Sequence, residues 1–564
     1  MRVLFALLKR LNLKKWAQWY LAFALVHLVW KFYKVYRSMQ RRLRSIKGLP
    51  GHQRIDFACE DFLKNVNRIH EWRRDFLLQY SGKPLVRTAS PDIEVMCNTK
   101  ESVKVLLRSE FRKITKPGPE EDYGFYLLGQ FIGQDGIFIL RHGDLLPEEH
   151  VQWYNQRKTA SKIFTKSNFL SMIQETVSNK MDILNRHLGT IADQNEGLET
   201  TKRSEGATAV DIQEKFFSFT FDSIQQMFFG REVNSIEGKA DTYASAFDAC
   251  HRSMLRHMFG SMPLNVASQY LLPFPFGSLY LGSRTWNPLF NLVRRYFDPH
   301  YADFRKQIDF LDSRTYALIK EAREDPKLSK RRDLLAYFLN SDVSYTDKQL
   351  RDVILNFIIA GRDTTACVLS WLFYELTQNP RVQVKLIEEI DQVLAGRRPT
   401  LEDLSPTHMP YLNGVFMEAL RLHPPVPEDS KMCTEDVQFP DGTTIAAGVK
   451  LMFSPYSIGR DPSIFDEPLQ FKPERWIPFT QPCMFEFPVF QAGNRYCLGK
   501  DLATFEGKLI TASLLQNFTF ALEGDEKPEN ITYALMITMS LCNKPDQTSH
   551  NLWVVPKRRT QKLS

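Results

Sequence analysis

The feature that most constrains the fold is a long apolar segment at residues 346–379. Its apolar side chains recur at helical spacing, Thr346 and Gln349 form a capping-box pattern at its start, and Pro380 stops it. At about 1.5 Å per residue such a helix runs roughly 50 Å, which is long enough to cross a whole domain. We therefore predict a mainly α-helical body with one core-crossing helix.

Residues 360–365 interrupt that helix with side chains that disfavour its interior. Gly361 costs about 1 kcal/mol relative to Ala, and Thr364 and Thr365 are β-branched. A helix that served only the core would gain nothing from these residues. We predict a widened turn that leaves a pocket for O2, in which Asp363 and Thr364 supply a carboxylate and a hydroxyl for proton delivery.

A second segment, residues 490–499, reads Phe-Gln-Ala-Gly-Asn-Arg-Tyr-Cys-Leu-Gly and leads into a helix-forming stretch, residues 500–517. Taken alone, Cys497 would be an ordinary buried thiol. Its place just before a helix exposes it to the positive end of the helix dipole and to free amide donors. Both effects lower the pKa of a thiol, so we predict a thiolate that binds a metal ion.

The other residues of this segment suit a heme. Gly493 and Gly499 let the backbone approach a flat macrocycle, Arg495 can pair with a heme propionate, and Phe490 can shield the sulfur from water. Thiolate ligation pushes electron density onto iron and favours O–O cleavage. The segment matches FxxGxRxCxG at all five fixed positions. In this it resembles the cytochrome P450 superfamily, whose signature that pattern is.

The resemblance implies a large single-domain cytochrome P450 fold, mainly α with small β-sheets, over residues 48–564. It implies heme b as cofactor, with Cys497 as the axial thiolate. Residues 360–365 also match the superfamily's (A/G)Gx(D/E)T(T/S) turn, in which Thr364 assists O2 activation and Asp363 feeds a proton relay. Members that rearrange peroxides without O2 typically lack this pair, so the resemblance favours a monooxygenase over a peroxide isomerase or dehydratase.

Further segments fit the same resemblance. Trp153 and Arg157 match WxxxR, in which both side chains reach a heme propionate; a surface helix with an aromatic stripe is the alternative. Lys431 falls where the family often places another propionate-binding cation. Glu418 with Arg421 matches ExxR, and residues 471–476 match the motif that adds a second arginine. The resemblance gives this charge network a structural role behind the heme.

Longer stretches are similar to the clan of fatty-acid and alkane omega-hydroxylases. They include residues 136–138, 156–158, 219–222, 423–427 and 498–501. The pocket walls implied by the resemblance, at residues 123–138, 247–262, 360, 426 and 537–539, are mainly apolar. We therefore expect a small apolar substrate, a long-chain fatty acid first, with a sterol, terpenoid or xenobiotic as the alternative. A heme sensor or electron carrier without turnover is a further alternative, but it would not need Asp363 and Thr364.

The charge of the chain is concentrated at its N-terminus. Residues 1–50 hold twelve of the 73 Lys and Arg and no Asp or Glu, which leaves 61 basic against 65 acidic groups in the rest. We therefore do not expect nucleic-acid binding. An apolar stretch at residues 16–36 with aromatic side chains at both ends favours a membrane anchor, residues 1–47, in the endoplasmic reticulum membrane, with the catalytic domain facing the cytosol. A mitochondrial presequence is the alternative.

The eight cysteines form no CxxC pair and no dense framework, which argues against a disulfide scaffold and a zinc module. No nucleotide-binding or flavin motif is present, so electrons must come from a partner. The resemblance implies an NADPH-dependent flavin reductase, which Lys500 and Lys508 could contact. Two other segments have no assigned chemistry: residues 193–208 are predicted to be a surface loop, and residues 271–282 either a buried loop or a second membrane contact.

Overall fold

The structure is a computed structural model, and it describes residues 36–51, 64–87, 93–119, 122–164, 166–195, 208–238, 242–260, 299–523, 528–534, 537–543 and 551–559, with a few positions between 22 and 34. Most of the described residues are helical. In chain order the helices are α1 Ile69–Leu78, α2 Lys100–Lys104, α3 Tyr123–Ile132, α4 Pro147–Ser161, α5 Lys166–Gln194, α6 Ile212–Phe229, α7 Thr242–Gly260, α8 Pro299–Glu324, α9 Leu334–Leu339, α10 Asp347–Ile358, α11 Thr364–Gln378, α12 Pro380–Leu394, α13 Pro410–Leu422, α14 Pro455–Ile458 and α15 Lys500–Asn517.

The strands are short and belong to small sheets. They are β1 Leu85–Arg87, β2 Glu94–Cys97, β3 Ile114–Thr115, β4 Val210–Asp211, β5 Asp429–Cys433, β6 Val437–Gln438, β7 Thr444–Ile445, β8 Lys450–Phe453, β9 Phe518–Leu522, β10 Ile531–Tyr533, β11 Leu541–Asn543 and β12 Trp553–Arg558. One sheet has the order β1-β2-β8-β5-β3, with only β2 and β8 parallel among its described pairs. β12 lies between β4 and β9, and β10 pairs with β11. The predicted mainly α fold with small sheets is confirmed.

The predicted core-crossing helix is also confirmed. α10, a π-helical turn at Ile359–Asp363 and α11 form one continuous helix, Asp347–Gln378, which is called the central helix below. At its start the Thr346 hydroxyl accepts from the Gln349 N–H at 3.2 Å, and the Gln349 side chain accepts from the Thr346 N–H at 2.9 Å. Within the described residues this is the one helix long and apolar enough to cross a membrane, and most of it is buried inside the protein. It is therefore a core helix.

The sequence pattern at residues 437–454 predicts a hairpin, and the structure contains a shorter one. β6 pairs with β7 across a turn in which Gly442 has a φ of +84°, a conformation that favours glycine. β8, which the pattern would assign to the second arm, instead pairs with β2 and β5 in the five-stranded sheet. The turn was predictable from Pro-Asp-Gly, whereas the choice of sheet depends on residues far away in the chain.

The described end of the predicted anchor region lies on the catalytic body. Residues 36–45 are helical, and Ile46 is fully buried in a hydrophobic cluster with Val437 and Ile445 of the β6–β7 hairpin. Arg41 forms an ion pair with Asp436 at 2.7 Å. The helix stops before residue 48, where the sequence Gly-Leu-Pro-Gly at residues 48–51 disfavours its continuation. This part of the N-terminal region is therefore docked on the hairpin.

Several predictions lie wholly or partly outside the described residues. Of the predicted membrane segment, residues 16–36, only a few positions are described, and Trp30 and Tyr33 are exposed among them. The segment at residues 271–282 is not described. The predicted loop at residues 193–208 begins as helix, because α5 extends to Gln194, and residues 196–207 are not described.

Candidate active site

Cys497 lies in a turn between a short 3₁₀-helix, Gly493–Arg495, and the start of α15 at Lys500. The backbone N–H of Cys497 donates to the carbonyl oxygen of Phe490 at 2.9 Å, which closes the loop around the thiol. Phe490 itself is half-buried and packs at the edge of the main hydrophobic core. Because α15 also packs against α11 of the central helix, the loop is anchored to the core of the protein.

The pKa of the Cys497 thiol differs from the prediction. Burial raises this pKa, and the backbone N–H groups of Gly499 and Lys500 and the guanidinium of Arg157 offset only part of the rise. The amide donors at the helix start do lower the pKa of Cys497, as predicted, but burial raises it by more, so the net shift is upward. Removal from water outweighs the helix terminus, so a thiolate here needs a stronger positive charge, such as a bound metal ion.

The two loop glycines have different roles. A Cβ added at Gly499 would meet only the sulfur of Cys497, at 3.9 Å, so the space beside the thiol is open. Gly493 has a φ of +63°, and a Cβ there would lie 2.1 Å from the carbonyl oxygen of Leu107. Close approach to a macrocycle therefore suits Gly499. Gly493 is required for a different reason, because the loop packs closely on the backbone at Leu107.

Arg495 is held by neutral acceptors. Its guanidinium donates to the carbonyl oxygens of Leu140 at 2.6 Å and Ile137 at 3.1 Å. It also donates to Nδ1 of His142 at 2.8 Å and lies 4.8 Å from the ring centroid of Trp153. Removal from water lowers the pKa of Arg495 to about 9. The buried surroundings of Arg495 therefore destabilise its positive charge.

Arg157 is in a similar position. Its guanidinium donates to the backbone oxygen of Tyr496, next to Cys497, and burial lowers its pKa. Within the described part of the chain, neither Arg157 nor Arg495 forms an ion pair with Asp or Glu. Trp153, the other predicted member of this motif, is buried and lies 6.0 Å from the Arg157 guanidinium. The predicted residues of α4 and of the cysteine loop are thus brought together.

Lys431 lies near Arg495, but it already forms an ion pair with Asp429. It is buried and donates to Asp429, whose other carboxylate oxygen accepts from Lys116 at 2.6 Å. Gln491 donates to Asp429 as well, at 2.7 Å. Burial acts to raise the pKa of Asp429, but Lys116 and Lys431 outweigh burial and hold this pKa well below its usual range. A role of Lys431 at a propionate stays a prediction.

His142 was missed by the sequence analysis, and no motif marks it. Its ring stacks on Phe111 with centroids 3.8 Å apart. Burial and the nearby Arg495 hold its pKa far below the usual range, so the ring is neutral. Since Nδ1 accepts from Arg495, the ring proton is on Nε2, and among the described residues Nε2 has no hydrogen-bond partner.

These observations fit the predicted cofactor. Three cationic side chains, those of Arg157, Arg495 and Lys116, share a cluster with one described carboxylate, Asp429, and with Lys431, whose pKa burial lowers well below its usual range. A buried excess of positive charge is costly unless anions neutralise it, and heme propionates are such anions. The space beside the Cys497 sulfur is open for the macrocycle. The residues present are therefore those that a heme with a thiolate ligand requires.

The predicted widened turn is present in the central helix. The π-helical turn at Ile359–Asp363 interrupts the α-helical hydrogen bonding, and the Thr364 hydroxyl donates to the carbonyl oxygen of Ala360 at 2.6 Å. A Cβ at Gly361 would lie 2.3 Å from Cδ1 of Ile224, so α6 packs closely against the turn. The glycine is needed for this packing as well as for the turn.

Asp363 is buried beside the turn. One of its carboxylate oxygens accepts from Nη1 of Arg362 at 3.0 Å, and Arg362 also forms an ion pair with Asp248 at 2.6 Å. Burial raises the pKa of Asp363 to about 7, although Arg362 opposes the rise. A carboxyl group with this pKa can both release and accept a proton near neutral pH.

The predicted charge network around Glu418 is confirmed. Its two carboxylate oxygens accept from Arg421 at 2.7 and 2.8 Å, and they also accept from Arg475 and from the Trp476 ring, each at 2.9 Å. Glu418 and Arg421 are fully buried. These contacts join α13 to the segment that contains Arg475, as expected for a structural network.

One predicted contact for a redox partner is corrected. Lys508 is buried, and its ammonium donates to the side-chain oxygen of Asn413 at 2.6 Å, so it cannot meet another protein. Burial lowers the pKa of Lys508 to about 8. Its position in the chain, on the buried face of α15, explains the error. Lys500 is half-buried at the start of α15 and remains a candidate.

The cytochrome P450 family profile matches residues 137–549, which is most of the chain. Cytochrome P450 CYP94D108 from Paris polyphylla is 28% identical over 516 residues, covering 89% of this chain and 91% of that protein. Cytochrome P450 704C1 from Pinus taeda is 30% identical over 529 residues, covering 87% and 90%. Cytochrome P450 52A1 from Candida tropicalis is 27% identical over 481 residues, covering 82% and 78%. The chain belongs to the cytochrome P450 superfamily and is therefore a heme-thiolate oxidoreductase of the monooxygenase class.

Proposed function

We propose that this protein hydroxylates long-chain fatty acids or related lipids, at or near the omega carbon. One observation carries the proposal. The helix that follows the cysteine loop, with its buried cations, packs against the central helix, which contains the turn with Asp363 and Thr364. The similarity of several segments to the omega-hydroxylase clan narrows the substrate from apolar molecules in general to fatty acids.

In this proposal the sulfur of Cys497 would hold the heme iron. Bound heme supplies the activation of O2 and the insertion of one oxygen atom into a C–H bond. Arg157, Arg495 and Trp153 would hold the propionates, since neither guanidinium group forms a direct ion pair with a carboxylate among the described residues. Burial favours the protonated thiol of Cys497, so the positive charge of a bound iron would be needed to favour the thiolate.

Asp363 and Thr364 hold the proton that oxygen activation consumes. The Thr364 hydroxyl is fixed by its bond to the Ala360 carbonyl oxygen, which leaves its lone pairs free to accept a hydrogen bond. Asp363, with a pKa of about 7, can replenish the proton at neutral pH.

The substrate channel proposed here is apolar. Phe131 of α3 and Phe247 of α7 lie in stretches that the resemblance assigns to the pocket wall, and their ring centroids are 4.8 Å apart. Both rings are fully buried. Side chains of this kind bind hydrocarbon, and the polar groups beside them are the Arg362 guanidinium and the His251 ring, each 6.0 Å from a phenylalanine centroid. A fatty-acid chain suits such walls.

We further propose that an NADPH-dependent flavin reductase supplies the electrons and that residues 1–47 attach the enzyme to the endoplasmic reticulum membrane. Exposed aromatic side chains at Trp30, Tyr33 and Tyr36 support a membrane contact, since such rings favour the headgroup region. The half-buried Lys500 beside the cysteine loop supports a docking surface for an acidic partner on that side.

The proposal is tested with the full-length enzyme, a flavin reductase and a series of saturated and unsaturated fatty acids. Binding is followed by the change in the heme spectrum, and products by mass spectrometry with the hydroxyl position assigned. We expect omega or near-omega alcohols, with product formation dependent on NADPH and O2. Spectral changes with sterols or terpenoids and none with fatty acids would contradict the substrate. Conversion of a lipid hydroperoxide without NADPH would instead identify a peroxide isomerase.

A further inference from the structure

His251 connects Asp363 to another part of the site. It lies on α7, and its side chain is 1% exposed. Nδ1 of its ring is 3.7 Å from the carboxylate oxygen Oδ2 of Asp363, the oxygen that Arg362 does not contact. Its other nitrogen, Nε2, accepts a hydrogen bond from the backbone N–H of Ile537 at 3.2 Å. The imidazole therefore sits between the central helix and the loop that joins β10 to β11.

The Ile537 contact determines which ring nitrogen carries the proton. A backbone N–H can only donate, so Nε2 must accept and the proton of a neutral ring is on Nδ1. That nitrogen faces Asp363. Its distance from the carboxylate is longer than a hydrogen bond, and contacts of this kind tighten when substrate and cofactor bind. The proton of a neutral ring is thus on the nitrogen that lies 3.7 Å from the Asp363 carboxylate.

The loop that fixes His251 is itself well held. Two residues beyond Ile537, the backbone N–H of Met539 donates to the carbonyl oxygen of Pro425 at 2.9 Å. The carbonyl oxygen of Met539 accepts from Nε1 of Trp371 at 2.7 Å, and Trp371 belongs to the central helix. The segment that contains the Ile537 N–H is therefore tied to the same helix that carries Asp363.

We propose that His251 is a positioning residue that donates from Nδ1 to Asp363 and thereby holds the carboxyl group in place for proton delivery, with the Ile537 N–H fixing its tautomer. This inference rests on the proposed function of Asp363. The other titratable or charged groups that act on Asp363 are Arg362, Asp248 and Cys367. Arg362 occupies one oxygen of Asp363, and His251 holds the other.

Two substitutions separate the functions of the two ring nitrogens. In His251→Asn the side-chain NH2 takes the place of Nδ1 and keeps a donor toward Asp363. In His251→Gln the amide takes the place of Nε2, which keeps the tie to Ile537 and removes that donor. The full-length enzyme is measured with NADPH, a flavin reductase and the fatty acid that gives the largest spectral change, and product, hydrogen peroxide and the solvent isotope effect on NADPH use are recorded.

We expect His251→Gln to form product about tenfold more slowly, with more peroxide per NADPH and a larger solvent isotope effect. His251→Asn should stay within about twofold of the wild type, because it retains the donor. Wild-type coupling in the Gln variant, or equal losses in the Asn and Gln variants, would overturn the inference, since equal losses indicate packing alone. If the Gln variant does not bind heme, His251→Leu replaces it in the comparison.

Asp363→Asn measured in parallel distinguishes this inference from the proposed function. Loss of coupling in Asp363→Asn with no effect in His251→Gln would leave the proton-relay proposal intact and refute the role of His251. Wild-type coupling in both variants would refute the relay itself and with it the role of His251.

Discussion

Removal from water acts on Cys497 and Arg495 in the same physical way and with opposite signs. It raises the pKa of the thiol and lowers the pKa of the guanidinium, because in both cases it disfavours the charged form. A heme supplies what each lacks, a cation at the sulfur and carboxylates at the arginines. The protein side chains alone therefore leave the charged forms of Cys497 and Arg495 destabilised, and one cofactor, a heme, can stabilise both.

Thr364→Ala should keep the heme and its thiolate but uncouple O2 use from hydroxylation. The variant lacks the hydroxyl that accepts and passes on a proton, so we expect about tenfold less product per NADPH, with hydrogen peroxide taking up the difference. Ser370→Ala is the matched control, because the Ser370 hydroxyl donates to the Ala366 carbonyl oxygen at 2.7 Å in the same helix, as Thr364 does to Ala360. Equal coupling in the two variants would exclude the proposed role of Thr364.

Glu506 allows the effect of burial on a pKa to be tested at a residue other than the heme ligand. It is buried on α15, its Oε1 has no hydrogen-bond partner among the described residues, and burial raises its pKa to about 8, which the Ser223 hydroxyl offsets slightly. The folded pKa lies above the unfolded pKa, so the protonated group favours folding at low pH, and this contribution is lost as the pH rises toward 8.

Glu506→Gln, which mimics the protonated form at every pH, should therefore gain stability relative to the wild type between about pH 5 and 8, by on the order of 3 kcal/mol, and then level off. Thermal midpoints at pH 5.5, 7 and 8.5 measure this difference. The exposed Glu321→Gln on α8 serves as the control. A difference that is constant with pH would show that Glu506 ionises normally in the folded protein.

At the scale of elements, the central helix combines a core function with a reactive turn. Its capped start and its apolar faces account for its burial, while the π-helical turn at Ile359–Asp363 is specified by Gly361 and by the packing of α6 against it. The helix gives up regular hydrogen bonding at the one place where the site needs a hydroxyl and a carboxyl group.

Gly361→Ala tests this packing. The new methyl group would lie 2.3 Å from Cδ1 of Ile224, and the strain of about 1–3 kcal/mol should exceed the gain in helix propensity of about 1 kcal/mol. Ile224→Val removes that Cδ1 atom. We therefore expect the double variant to be more stable than the sum of the two single variants by about 1 kcal/mol. Additive changes in the thermal midpoints would mean that α6 does not pack on the turn as described.

At the scale of the whole molecule, local patterns predicted what depends on local physics. The capping box at Thr346, the turn residues at Gly442 and the interruption at Gly361 each act within a few residues, so their structures could be read from the sequence. The Cys497 motif was equally readable, although its pKa was not, because burial depends on the surrounding fold.

The predictions that failed depend on contacts between distant parts of the chain. Lys508 is buried because α15 lies within the core, and β8 joins the five-stranded sheet because β2 and β5 lie beside it. His142 and His251 come close to Arg495 and Asp363 only in the folded protein, and neither histidine lies in a motif. No spacing pattern contains this information.

The boundary proposed at residue 47 can be tested by truncation. Deleting residues 2–35 should leave the thermal midpoint unchanged and weaken membrane binding, because the docked helix at residues 36–45 is kept. Deleting residues 2–50 also removes the buried Ile46 and Leu49, and should lower the midpoint by roughly 5 °C. Equal midpoints for the two deletions would show that this segment contributes nothing to the catalytic body, and unchanged membrane binding would argue against the anchor.

The absorption spectrum of the reduced, carbon-monoxide-bound protein tests the central claim most directly. A thiolate ligand shifts the Soret band far to the red, so we predict this band for the wild type and for Cys483→Ala, whose half-buried thiol lies outside the loop. Cys497→Ala should lose it. An ordinary heme band in the wild type, or a red-shifted band in Cys497→Ala, would contradict the assignment of Cys497 as the ligand.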